Sequence, residues 1–294
     1  MASARDLRKK IKSITNTRKI TRTMELVATS KAKRAQDRVI ATTPYSEKLT
    51  DLLRRLAEAG TVEHPLLEKS EASKKTAILI ITANRGLCGG YNTNVLAMAE
   101  KLRAQILNDG GEVDLHVVGR KGLQRMKFLK LPVVEGHSDF DDRPSFRDAA
   151  GIAENLIRQF VAGDVSRVVV VSTRFLSAGR QEARISQVLP IESPDDAGGS
   201  AGGEESGRAV DFIFEPTPSE ILEELLPLSV KNVFYRLLVE GVASEQIARR
   251  VAMKRATDSA DEMIQDYTRM YNRSRQAGIT QEINEIVSGA SALE

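Results

Sequence analysis

The chain is poor in the residues that build staples, metal centres and membrane spans. Cys88 is the only cysteine among 294 residues, so no disulfide can form within the chain. A secreted, disulfide-stapled fold is excluded, and a reducing compartment is expected. The three histidines, His64, His116 and His137, are scattered, and no metal cluster built on His and Cys is expected. Apolar runs are short. "AILII" at 77–81 is among the longest and falls far below the roughly 18 residues that suggest a bilayer span, so nothing is expected to cross a membrane. The opening "MASARDLRKKIKSITNTRKITRTM" is rich in basic and hydroxyl side chains, as organelle transit peptides are. It lacks the apolar core and cleavage site of a secretory signal, and we read it as mature structure.

A phosphate motif is missing as well. In "ITANRGLCGGYNTNV", residues 81–95, a β-branched run enters a glycine-rich turn and then a helix-like pattern, an arrangement whose free N–H groups could hold a phosphate. The spacing of Gly86, Gly89 and Gly90 is not G-x-G-x-x-G, and no Lys-Ser/Thr pair follows to make a P-loop. The three glycines are read as a structural turn between strand and helix. No cofactor and no direct small-molecule substrate is expected.

Charge is present in quantity and is unevenly placed. Residues 1–60 hold 15 Lys/Arg and 6 Asp/Glu, residues 61–218 hold 19 and 22, and residues 219–294 hold 9 and 12. The excess of positive charge therefore lies on the N-terminal segment. A basic helix seeks nucleic acid, an anionic surface or an acidic protein face, or is simply solvated. Nucleic-acid binding would call for aromatic side chains interleaved with the basic ones, and none occurs before Tyr45.

Both ends of the chain carry helical periodicity. Residues 4–41 contain no Pro or Gly, and apolar side chains recur at Leu7, Ile11, Ile14, Ile20, Met24, Val27, Ala28, Ala32, Ala35 and Val39. After "TTPY" the pattern resumes with Leu49, Leu52, Leu53 and Leu56, so Pro44 is a candidate kink or interruption. Ser219 is a candidate cap for a second long helix, with Glu220, Glu223 and Glu224 near its positive pole and Pro227 as an early bend. Its stripe runs through Val230, Phe234, Leu238, Ala248, Ala252, Met263 and Tyr267 and closes on Ile279, Ile283, Ile286, Ala290 and Leu293, a seam of heptad spacing.

Between the ends, strands and helices alternate. Strands are expected at 76–83, 113–118, 167–173, 182–191 and 210–215, and helices at 93–108, 120–130 and 145–162. This order implies right-handed β-α-β units and a partly parallel sheet. Residues 193–207, "SPDDAGGSAGGEESG", hold five Gly and four acidic residues, a composition that reads as a flexible loop. The expected fold is α/β: a Rossmann-like domain at 61–218, inserted between coiled-coil helices at 1–60 and 219–294. If the two helices pair antiparallel, equal rise per residue makes partners' numbers add to about 278, so that residue 4 meets residue 274. The last 20 residues would then extend roughly 30 Å beyond their partner, on a coiled coil of roughly 80 Å.

Three stretches carry a family resemblance: "DLRKKIKSITNTRKITRTMELVATSKAKRAQ" at 6–36, "RGLCGGYNTNV" at 85–95 and "RQAGITQEINEIVSGASA" at 275–292. They resemble the hallmark stretches of the gamma subunit of F-type ATP synthases, of the bacterial type. The chain lacks the dithiol insert of chloroplast gamma subunits, so thiol control is not implied. The resemblance implies a non-catalytic central-stalk rotor. In that family the coiled coil is the axle within a hexamer of alpha and beta subunits, and the α/β domain sits with the epsilon subunit on the ring of c subunits. Active sites and nucleotides belong to alpha and beta. It further implies a peripheral protein on the cytoplasmic face of a bacterial cell membrane, with no nucleic acid among its partners. The alternative reading is a structural coiled-coil adaptor unrelated to ATP synthase.

Site residues follow from the same resemblance. Arg275 and Gln276 resemble the pair that engages a beta loop, with Thr280 and Glu282 one turn further on. Met24, in "TRTMELVATSK", resembles the coupling position, and the register places it opposite residue 254, near Arg249. Arg8, Lys9, Lys10 and Lys12 are expected to face acidic segments of beta.

Overall fold

The computed structural model describes residues 4–59, 64–68, 73–139, 142–177, 180–191 and 217–291. The chain divides into two compact units, one of residues 1–30 with 249–294 and one of residues 31–248. The division cuts across the two long helices, α1 (Ala4–Ala59) and α5 (Pro218–Ser291).

The larger unit is built on a five-stranded sheet of β1 (Lys75–Ile81), β2 (Glu112–Val118), β3 (Glu135–His137), β4 (Arg167–Ser177) and β5 (Arg180–Leu189). The strand order is β3-β2-β1-β4-β5; the first four are parallel, and β5 pairs antiparallel with β4. The central strands "AILII" and "VVVV" are apolar throughout because both faces are covered. On one face α2 (Tyr91–Asn108) and α3 (Arg120–Phe128) pack Val95, Leu96, Ala99 and Met126 against Ile78, Ile80, Leu115 and Val117. On the other, α4 (Phe146–Val161) lays Ala149, Ile152, Ala153, Leu156 and Phe160 against Leu79, Val168 and Val170. The α5 residues Leu222, Leu226, Val230, Phe234, Leu237 and Leu238 join that second core together with Leu56 of α1. From Leu237 to Ile247 every α5 residue is buried except Val242, the polar Glu240, Ser244, Glu245 and Gln246 included, so this stretch shows no exposed face. α4 starts at a capping box in which Ser145 and Asp148 satisfy each other's backbone N–H groups.

The smaller unit is an antiparallel helix pair. Its cross-contacts are Arg18 Nη1 to Asp261 Oδ1 at 2.5 Å, Thr21 Oγ1 to Thr257 Oγ1 at 2.9 Å, and Lys10 Nζ 5.5 Å from the Tyr267 ring centre. Each pair's numbers add to about 278, the expected register. The larger unit repeats it, with Asn232 Nδ2 donating to Ser46 Oγ at 2.9 Å.

Several expectations need correction. Pro44 lies inside α1 and does not end it; it is exposed, and the neighbouring Thr42 and Thr43 hydroxyls both donate to the Val39 carbonyl at 2.9 Å. The α5 helix begins at Pro218 and is capped by Thr217, whose Oγ1 accepts from the Glu220 N–H, rather than by Ser219. Proline suits the first helical position because its missing N–H has no partner there anyway. Ile20 and Val27 were expected on the buried stripe and are 60% and 50% exposed, while Thr21 and Glu25 are buried. β3 was not expected at all. The expected strand at 210–215 and loop at 193–207 lie outside the described residues.

Candidate functional site

The helix pair is held by a heptad seam. On α1 it runs Leu7, Ile11, Ile14, Arg18, Thr21, Glu25, Ala28, a strict 4-3 alternation of buried and half-buried positions. The facing seam on α5 is Met253, Thr257, Ala260, Ile264, Tyr267, Tyr271, Ser274, with the same alternation. Its middle is polar. Thr21 and Thr257 are buried and bonded to each other; Glu25 is 9% exposed and accepts from Arg22 at 2.9 Å; Arg249 is 8% exposed. The Arg18–Asp261 pair is more exposed, with side chains at 38% and 48%, and so contributes little to stability.

Met24 sits half-buried on the shoulder of this polar stretch, one position before Glu25. The register sets it opposite Lys254, which is exposed and paired with Asp258 at 3.3 Å. Arg8, Lys9, Lys10 and Lys12 are all exposed, and Lys10 also lies over Tyr267. Sequence reading passed over Thr21, Thr257 and Glu25 because they are polar. Strict 4-3 counting onward from Leu7 would have reached Thr21 and Glu25.

Past Ser274 the helix has no cover. Every described side chain from Arg275 to Ser288 is exposed, including Arg275, Gln276, Thr280 and Glu282. Ile279, Ile283, Ile286 and Val287 are 48%, 54%, 71% and 58% exposed. The Thr280 hydroxyl bonds back to the Gln276 carbonyl at 3.0 Å and takes no part in any longer-range bond among the described residues. An apolar strip left bare along one helix marks an interaction surface rather than a folding defect.

The glycine-rich turn lies at the C-terminal end of β1. Of its three glycines, Gly89 alone has a left-handed φ, 56°, while the non-glycine Leu87 takes φ 62°. The N-terminus of α3 next to it is already satisfied: Arg120 N–H donates to Asn84 Oδ1, Lys121 N–H to the Ala83 carbonyl and Gly122 N–H to Thr82 Oγ1, at 2.9–3.1 Å. On the other side of the turn, Ala83 N–H donates to Asn92 Oδ1 at 2.9 Å, and the Asn92 amide reaches the buried Cys88 sulfur at 3.2 Å. The first N–H groups of α3 and that of Ala83 therefore serve the fold. Gly119 escaped sequence reading: its φ is 96°, and a Cβ there would stand 2.2 Å from the Thr82 carbonyl oxygen. Its left-handed φ and the Thr82 carbonyl together require glycine.

His116 on β2 is fully buried, and neither ring nitrogen has a hydrogen-bond partner among the described residues. The Glu135 carboxylate 3.8 Å away favours its charged form, but burial is the larger effect and pushes its pKa down. Among the described residues no group of three or more His, Cys, Asp or Glu could hold a metal ion, and no helix is long and apolar enough to cross a membrane.

The family model described as ATP synthase matches residues 3–293. The chain is 43% identical to the ATP synthase gamma chain of Leptospira biflexa over all of both chains. It is 44% identical to that of Gemmatimonas aurantiaca, again over all of both. Among solved structures it is similar to a chain of the Euglena gracilis mitochondrial ATP synthase, OSCP/F1/c-ring, with TM-score 0.71 and 21% identity over 99% of this chain and 94% of that one. A chain of the Euglena gracilis ATP synthase rotor matches with TM-score 0.65 and 23% identity, over 94% and 98%.

Proposed function

We infer the function from one premise: the chain belongs to the family of ATP synthase gamma chains. It is the central-stalk rotor subunit of an F1Fo ATP synthase, coupling ion flow through the membrane ring to ATP synthesis. The observation that carries this reading is the heptad-paired terminal helices, followed by a helix end whose apolar strip stays bare. We assign that strip to a sleeve of alpha and beta subunits. Arg275, Gln276, Thr280 and Glu282 face a beta loop, Met24 and Arg249 mark the coupling region, and Arg8 and Lys9 face acidic segments of beta. The α/β unit meets epsilon and the c ring, which makes the chain a peripheral protein of the cytoplasmic membrane face. The chain itself catalyses nothing.

The physics is allostery by rigid rotation. Identical beta subunits meet different faces of the helix pair, so their nucleotide affinities differ by the difference in contact free energy. One charge crossing 100 mV supplies about 2.3 kcal/mol, and a few per step shift site affinities many-fold. Ile279, Ile283 and Ile286 suit a bearing because hydrophobic contacts are non-directional, whereas strong directional bonds would pin one angle.

Reconstitution tests this directly. The pure chain should hydrolyse no ATP, and adding it to alpha and beta subunits should give steady turnover, with a probe on the chain rotating during hydrolysis. Hydrolysis by the chain alone, or turnover with a static probe, would falsify the rotor reading. Failure to co-purify with alpha and beta would overturn it as well.

A further inference from the structure

The glycine-rich turn lies against two helix N-termini, and only that of α3 is closed by the chain's own groups. The other, α2, opens at Gly90 with no side-chain cap and no acid in its first turn. Nothing in that turn offsets the positive pole of an 18-residue helix. Topology puts this pole at a ligand position. In the order β3-β2-β1-β4-β5, α2 carries the chain from β1 to β2, while β4 lies on the other side of β1. The strand order thus reverses between β1 and β4, and open α/β sheets bind ligands at the carboxyl ends of strands beside such a gap.

A cavity of about 150 Å³ sits there, lined by Gly90 and Asn94 of α2, Thr173 of β4, Gln181 of β5 and Ser244 of α5. Ile80 pairs with Val171, so Thr173 stands just past the end of β1. Thr173 is 5% exposed and Ser244 is fully buried, and neither hydroxyl has a hydrogen-bond partner among the described residues. Buried orphans of this kind are costly. Ser244 does not close back on the carbonyl four residues earlier, as Thr29, Ser46 and Thr257 do. The Gln181 amide is committed to the Ser177 carbonyl at 3.0 Å. No charged side chain lines the cavity, so no carboxylate there repels an anion.

We propose that this cavity binds a single tetrahedral oxyanion, phosphate or sulfate, held by the Thr173 and Ser244 hydroxyls at the N-terminus of α2. Size sets the upper limit. The volume equals roughly five waters at about 30 Å³ each and falls below the roughly 300–1,000 Å³ of larger ligands, which excludes a nucleotide. Polarity decides between an anion and water. Two hydroxyl protons and a helix pole lack an acceptor, and an oxyanion accepts from all of them through charge-assisted bonds. Water carries no charge and gains less from the pole. Asn94 completes the donor set at the exposed mouth. The anion is a resident ligand that ties β4 to α2 and α5, and this inference does not depend on the rotor reading.

Calorimetric titrations of the full chain with inorganic phosphate and with sodium sulfate, at ionic strength fixed with chloride, test it and tell the two anions apart. At least one should bind one to one, and pyrophosphate, too large for the cavity, should bind at least tenfold more weakly. Thr173→Val and Ser244→Ala should each weaken binding about tenfold, as expected for one lost charged contact. Thr268→Val, exposed on the C-terminal helix, should leave it unchanged. Each cavity variant loses an orphan hydroxyl, so without the anion it should melt at or above the parent's temperature, which also shows that it folds. The bound anion should raise the parent's melting temperature by more than theirs, since the general stabilising effect of phosphate or sulfate is common to all. No saturable binding of either anion, or binding undiminished in both cavity variants, would overturn the proposal and leave the cavity to ordered water.

Discussion

The buried Thr21–Thr257 pair offers a prediction whose size can be worked from the geometry. Three contacts are within hydrogen-bond distance: Thr21 Oγ1 to the Arg18 carbonyl at 3.0 Å, Thr257 Oγ1 to the Met253 carbonyl at 2.9 Å, and the two hydroxyls to each other at 2.9 Å. Two hydroxyl protons cannot serve three contacts. If Thr257 donates to Met253, Thr21 donates across the seam and gives up its own helix carbonyl. Thr257→Val removes the cross-seam acceptor but lets the Thr21 proton turn back to Arg18, so the net cost should be about 1 kcal/mol. Thr21→Val should cost about the same. The double valine variant leaves no stranded hydroxyl and places two apolar side chains in a heptad seam, so it should lie within about 0.5 kcal/mol of the parent or be more stable. The assay is amide hydrogen exchange over residues 14–28 and 253–264, which reads the opening free energy of the helix pair itself. If the double variant loses the sum of the single losses or more, the shared-proton argument is wrong and the pair is a plain stabilising bond.

Met24→Lys, which puts a charge at the half-buried shoulder of the polar seam, should lower the ratio of ions pumped to ATP hydrolysed while leaving assembly intact; a strictly proportional fall in both would refute it. Deleting residues 287–294 should leave the complex assembled with weakened catalysis, whereas Ile283→Asp, which places a charge in an apolar sleeve, should reduce recovery on gel filtration by more; the reverse order would mean that the sleeve is misplaced. His116 should make the chain less stable in mild acid. Its folded pKa lies below the ordinary 6.5, so the unfolded chain binds the proton more readily, and stability falls as pH drops below 6.5. His116→Leu should flatten that slope in urea titrations, leaving the part owed to His64, which burial pushes the same way; an unchanged slope would exclude His116 as its source.

Much of this molecule is written in local pattern. Helical periodicity in residues 4–41 and 230–270 marks α1 and α5, and β-branched runs mark β1 and β4, because both kinds of element are set by side chains close in sequence. Equal rise per residue along two paired helices was enough to place Thr21 near Thr257 and Ser46 near Asn232. The exposed run after Ser274 follows from that register alone.

Other features needed the partner surface. Ile20 and Val27 look like core and are not, because a seam that must stay against one neighbour advances by four and three, and the step from Ile14 lands on Arg18 and Thr21. β3 has the sequence Glu-Gly-His, with no apolar alternation to read, and exists because β2 offers an open edge to pair with. The glycine at 119 is compelled by a carbonyl 37 residues earlier in the chain, and Lys31, Arg85 and Arg143 share a cleft because the sheet folds their segments together. Periodicity is a property of neighbours in sequence and survives without a fold. Which face is covered, and which charges meet, depends on distances that exist only once the chain has closed on itself.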